Sequence, residues 1–173
     1  MQRFHHDGFD LAYLDRAPEG RDTGETILLI HGFASSAHVN WVSPGWMKTL
    51  TDAGYRTLAI DNRGHGRSSV SYDPADYTPA KMASDAAALL RHVGVARAHV
   101  MGYSMGARIS AFLALAEPDL VATLVFGGLG LGMVEGVGDW SPISEALLAP
   151  DPATITHPRG KAFRTFADQT QSD

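Results

Sequence analysis

Four short, largely apolar runs, Thr26–Ile30, Arg56–Ile60, Ala98–Met101 and Val121–Phe126, are separated by helix-like stretches, and this alternation admits few folds. Runs that stay apolar without alternating suit strands buried on both faces, as in a parallel sheet. Residues 46–53 read as a helix closed by Gly54. Thr78-Pro79 opens a second helix, with a capping hydroxyl followed by proline at the first position. Met82, Ala86, Leu89, Leu90 and Val93 form its apolar stripe, and Gly94 ends it. A third helix carries Ile109, Phe112, Leu113 and Ala116 and stops at Glu117-Pro118. Strands alternating with helices require right-handed crossovers and a sheet covered on both sides. Residues 2–17 alternate loosely around Asp7-Gly8 and predict an edge hairpin.

Composition removes several classes of function. The 173 residues suffice for one domain, and 45% hydrophobic with 19% charged residues is ordinary for a globular protein. A net charge of −5 gives no basic footprint for nucleic acid or anionic membrane. With no cysteine, disulfides, thiol catalysis and cysteine-bound zinc are excluded. Met1–His6 has no apolar signal core, and no apolar run approaches the roughly 20 residues of a membrane span. The expectation is a soluble, cytoplasmic protein with neither nucleic acid nor membrane as partner.

Chemistry enters where the third apolar run hands over to a helix. Gly102-Tyr103-Ser104-Met105-Gly106 reads G-x-S-x-G at that junction. A serine on so tight a strand-to-helix turn is lifted clear of the sheet, and only small neighbours fit the bend. Its hydroxyl faces a cleft at a helix start, where free N–H groups can hold an oxyanion. Ser104 is the candidate nucleophile. His31-Gly32-Phe33 also falls at a strand's carboxyl end, the side on which such sheets bind ligands.

Together with the loop Asp61-Asn62-Arg63-Gly64-His65-Gly66-Arg67-Ser68, these segments resemble the α/β-hydrolase superfamily. Within it they are similar to bacterial esterases, lactonases, perhydrolases and C–C hydrolases with serine nucleophiles. The resemblance covers residues from about 2 to 127 and implies an α/β fold: a doubly wound, mostly parallel sheet. It implies the backbone N–H groups of Phe33 and Met105 as oxyanion donors. Phe33, Tyr103, Met105 and Trp140 are the candidate substrate-binding residues, and Asp61, Arg63 and His65 look like the family's structural loop. Ala107 stands where many relatives carry a second glycine. The implied reaction is cleavage of a small-molecule ester or lactone through an acyl-serine, with no metal and no organic cofactor. A serine nucleophile argues against haloalkane dehalogenation and epoxide hydrolysis, for which the superfamily uses a carboxylate.

The family's acid and histidine follow the nucleophile on loops after two further strands. No further strand is legible after Phe126, so the sheet is expected to lack its C-terminal strands. Residues 1–127 are then the N-terminal part of the core and 128–173 the start of a helical cap. His157 has no strand before it, and Asp139 and Asp151 fare no better as the triad acid. The missing groups would lie in about 80–100 further residues, judged by common domain length, in the same protein or in a separate C-terminal fragment. The same scaffold also fits a C–C bond hydrolase, an acyltransferase, a non-catalytic binding protein or an inert fragment.

Other residues read more plainly. His31 is expected to be a buried, hydrogen-bonded ring shaping its turn, and His65 likewise. His5 and His6, adjacent on a strand, point to opposite faces and hold no metal. His38, His92 and His99 read as surface or packing residues, and Trp41 and Trp46 as packing for the loop and helix after the oxyanion turn, with Trp41 alternatively bordering the entrance to the site. The glycine run 127–138 is expected to be a hinge into the cap, whose underside would present Trp140, Leu147, Leu148, Phe163 and Phe166.

Overall fold

The computed structural model describes residues 1–131, 135, 136 and 138–170. Six strands form one sheet in the order β1-β2-β4-β3-β5-β6. β1 (Gln2–His6) and β2 (Phe9–Arg16) make the expected hairpin, and β2 runs antiparallel to β4 (Arg56–Ile60). β3 (Thr26–Ile30), β5 (Ala98–Tyr103) and β6 (Val121–Gly127) extend the sheet in parallel from β4. The doubly wound, mostly parallel sheet read from the sequence is thus observed.

Both faces are covered, and the alternation of side chains along β3 explains why the whole strand is apolar. Leu28 and Ile30 join the larger core under α2 (Pro79–His92) and α3 (Met105–Ala116), with Leu89, Leu90, Ile109 and Leu113. Ile27 and Leu29 face the other way, onto Trp41 and onto Met47 of α1 (Trp46–Asp52). The Thr78 hydroxyl accepts from Lys81 N–H and starts α2 as its sequence predicts.

The loop after β4 is anchored by Arg63, which is wholly buried. Its guanidinium grips Asp85 of α2 through two bonds of 2.7 Å. It also reaches Asp7 at 3.2 Å and the Asp76 carbonyl at 3.0 Å, and lies 4.3 Å over the Phe9 ring. Strand, helix and hairpin are thereby tied to one side chain, and the loop carrying Asn62 and His65 is held in place.

Two helices, α4 (Ser141–Leu148) and α5 (Pro158–Thr170), pack on each other beyond β6. Arg164 of α5 closes the end of α4 by donating to the carbonyls of Ala146, Leu147 and Ala149. Thr170 ties α5 to the core through its hydroxyl, 2.8 Å from the Ala34 carbonyl. Part of the expected glycine hinge, residues 132–134 and 137, lies outside the described residues. Among the described residues β6 pairs on one side only, leaving Val125 and Phe126 half exposed, and no helix is long and apolar enough to cross a membrane.

Candidate active site

Ser104 sits between β5 and α3 with φ 53° and ψ −115°, a conformation side-chain-bearing residues rarely adopt. The surrounding sequence forces it there. A Cβ on Gly102 would strike the Gly106 carbonyl, and one on Gly106 would strike the carbonyl of Ile30 in β3. Both small residues are therefore steric requirements for bringing α3 onto the sheet. The Ser110 hydroxyl donates to the Gly106 carbonyl at 2.8 Å, and Ser104 N–H donates to the carbonyl of Gly127, the last residue of β6, at 2.7 Å. Among the described residues, Ser104 Oγ has no hydrogen-bond partner. It opens on a cavity of about 720 Å³ walled by Phe33, Trp41, Trp46, Tyr103 and Phe163.

The turn after β3 lies directly against it: a Cβ on Gly32 would stand 3.4 Å from that of Ser104. His31, fully buried, accepts from Asn62 N–H through Nε2 at 2.9 Å. Its single ring proton must then sit on Nδ1, which donates to the Gly32 carbonyl at 2.7 Å. Burial above all, with His65 nearby adding to it, pushes the His31 pKa down to about 3 against the Gly32 hydrogen bond. The ring is neutral and its tautomer is fixed. Asn40 Oδ1 accepts the Gly32 N–H at 2.8 Å. The Gly32–Phe33 peptide is thus held by its carbonyl, and the N–H on its other side, that of Phe33, is left without an acceptor among the described residues. Met105 N–H, first in α3, is likewise unpaired there.

The four expected substrate-binding residues divide between places. Phe33 and Tyr103 line the Ser104 cavity. The Met105 side chain does not; it lines a second cavity of about 610 Å³. Successive side chains diverge at the sharp turn, so the residue after the serine faces away from it. Trp140 stands behind the wall, its ring 5.9 Å from that of Phe33 and 5.5 Å from that of Phe163. Phe163 and Phe166 of α5 reach the first cavity and Leu147 the second, whereas Leu148 points to solvent at 82% exposure.

Trp41 and Trp46 pack as expected for Trp41, which is buried, but both also wall the Ser104 cavity, and Trp46 is half exposed on it. Asn40 was not legible as a site residue. The one signal for it is the Gly32 N–H itself, a buried donor at a strand end that must find an acceptor.

The remaining polar residues have structural partners. Asp61 accepts from Ala37 N–H at 2.7 Å and Arg67 N–H at 2.9 Å, and burial raises its pKa. His65 Nδ1 donates to the Arg63 carbonyl at 3.0 Å, and burial lowers its pKa. His157 Nδ1 accepts from Gly160 N–H at the start of α5, while Asp139 and Asp151 accept from Ser141 and Ala153 N–H groups. His5 bonds to Asp10 and His6 to Ser84, in keeping with their opposite faces. No imidazole or carboxylate among the described residues hydrogen-bonds Ser104.

Comparison with known proteins gives the family. Residues 25–154 match the family model described as alpha/beta hydrolase fold, and the chain belongs to that family. It is 39% identical over 106 residues to RutD of Variovorax paradoxus (strain S110), a protein named as a carbamate hydrolase, covering 61% of this chain and 38% of that protein. It is 34% identical over 128 residues to epoxide hydrolase B of Mycobacterium tuberculosis, covering 69% of this chain and 34% of that one. A solved structure of a protein described as a hydrolytic enzyme from Pseudomonas aeruginosa PAO1 superposes with a TM-score of 0.66 at 30% identity, over 99% of this chain and 63% of that one. The chain spans little more than a third of the two curated relatives.

Proposed function

We propose that this member of the α/β-hydrolase family carries the nucleophile and the oxyanion donors of a serine hydrolase acting on carboxylic esters or lactones. Ser104 Oγ attacks the substrate carbonyl while a histidine outside these residues takes its proton. The Phe33 and Met105 amides hold the oxyanion of the tetrahedral intermediate, each worth about 3–4 kcal/mol of transition-state stabilisation. Collapse expels the alcohol and leaves an acyl-serine, which water hydrolyses on the same donors. Phe33 and Tyr103, with the tryptophans and Phe163, shape the acyl pocket, and a C-terminal fragment of the same protein is the proposed source of the acid and base.

The observation that carries this reading is a serine hydroxyl in a strained turn, unpaired among the described residues like the Phe33 and Met105 amides, opening on a cavity walled in part by aromatic residues. A carbamate presents a carbonyl carbon open to the same attack. Epoxide opening, named for the mycobacterial relative, would need the carboxylate that the family places where this chain has Ser104.

The test is a fluorophosphonate applied to the undenatured protein, with intact masses taken for every polypeptide present. An adduct lost in Ser104→Ala, together with a second polypeptide, supports the whole reading. The same adduct on the isolated chain keeps the nucleophile and overturns the external base. A folded protein that takes no adduct is no serine hydrolase.

A further inference from the structure

The second cavity lies across the Phe33 ring from Ser104. Phe33 walls both cavities, and Met105 walls only the second. The two residues whose amides are the proposed oxyanion donors thus both line it. A carbonyl held on those amides would lie at Phe33, the residue that the two cavities share.

Most polar groups of this second wall are already engaged. The Tyr77 hydroxyl donates to the Ser71 carbonyl at 2.6 Å and accepts Ser71 N–H at 2.8 Å. Arg164 is committed to the end of α4 and to Asp168. His65 differs. A carbonyl can only accept, so the bond to Arg63 O fixes the ring proton on Nδ1 and leaves Nε2 as a bare lone pair. Nε2 has no partner among the described residues, yet it is not among the polar atoms sealed off from solvent, and its ring lines the cavity. Burial holds the ring neutral, so the lone pair persists at neutral pH. A ring serving only to shape its loop has no need of an open acceptor on a cavity wall.

We propose that the second cavity is a substrate subsite in which His65 Nε2 accepts a hydrogen bond from a hydroxyl or N–H on the substrate arm that crosses Phe33. The inference rests on the hydrolase reading of Ser104 and narrows it to acyclic, two-armed carbonyl compounds: one arm apolar, the other bearing a donor. An all-alkyl arm would desolvate Nε2 without replacing the bond to water, which disfavours it.

The probes are benzyl alkyl ketones whose alkyl arm ends in hydroxyl, and the same ketones without it. They offer the carbonyl and both arms but no leaving group. The hydroxylated ketones are expected to bind about tenfold tighter by calorimetry, the scale of one hydrogen bond made against one left unmade. They alone should move the His65 Nε2 resonance in nitrogen-detected spectra of the wild-type protein. His65→Phe removes the preference, and His65→Gln, which keeps an acceptor, retains part of it. Equal affinities, no detectable binding, or a stationary Nε2 resonance at saturation each overturn the subsite. Fluorophosphonate labelling reads the other premise separately: an adduct on Ser104 with a stationary Nε2 condemns only the subsite, and no adduct condemns the hydrolase reading.

Discussion

Acid should weaken this protein through His31. The ring is buried and neutral in the fold with a pKa pushed down to about 3, against an ordinary value near 6.5 once unfolded. Between those values the unfolded chain binds a proton that the folded chain refuses, so stability rises with pH across the window. It is fully present above pH 6.5 and is lost as pH falls toward 3. The difference, at 1.36 kcal/mol per pH unit, amounts to about 5 kcal/mol in all, of which about 2 kcal/mol is gone by pH 5. A domain whose total stability is about 5–15 kcal/mol will not tolerate the full loss.

Urea midpoints between pH 7 and 4 measure it. With a slope of about 2 kcal/mol/M, the midpoint should fall by about 1 M between pH 7 and 5. His31→Gln is the control, because its carboxamide offers both donor and acceptor groups without a titrating proton. Its baseline stability is lower, but its midpoint should change less over the same range. Asp61 opposes the trend, since burial raises its pKa and the fold takes up that proton first as pH falls. The informative quantity is therefore the difference between the two proteins. Parallel curves would refute the reading of His31 as a buried ring held neutral in the fold.

Two further changes test the framework. Asp85→Ala leaves the fully buried Arg63 with only Asp7 and a carbonyl, and should cost about 3–5 kcal/mol in urea unfolding, whereas Arg63→Met with Asp85→Leu together should recover much of it. Ser104→Gly should abolish fluorophosphonate labelling and yet raise stability by about 1 kcal/mol, because glycine adopts φ 53° without strain; an unchanged or lower midpoint would mean that the turn stores no strain.

Much of this was legible in the chain, for identifiable reasons. β3 is buried on both faces, so its five residues had to be continuously apolar, and that run announces a central strand. Thr78-Pro79 and the glycines around Ser104 carry local steric and capping rules that hold whatever surrounds them. The side chains around the cavities were less legible, because their directions are set by contacts far along the chain. Trp140 meets Phe33 across more than a hundred residues, and Thr170 meets Ala34 across 136. For Met105 the motif gives the residue's position and leaves open which of the two cavities it lines. Asn40 lies in a π-helical turn, His38–Val42, that no periodicity signals.

The carbonyl that fixes the Ser104 backbone belongs to Gly127, at the end of a strand paired on one side only among the described residues. Other restraints on the nucleophile come from the interior and from α3: Gly106 against β3, Ser110 against Gly106, the clamped Gly32 peptide, and the Ala107 and Arg108 N–H groups on the Ser104 carbonyl. Edge strands fray more readily than central ones, so the Ser104 amide hangs from the least secure part of the sheet. A strand added beside Val125 and Phe126 would bury apolar surface and order Gly127 at once. Pairing at that edge and order at the nucleophile are then one equilibrium. Hydrogen exchange reads it directly. The Ser104 amide should exchange faster than those of Leu28 or Leu29 in this chain alone, and should slow by about tenfold or more when a polypeptide supplying the acid and base is bound, a shift of about 1.4 kcal/mol in local stability. If its exchange matched that of the central strands from the outset, the turn would be self-supporting and the edge would have no hold on the nucleophile.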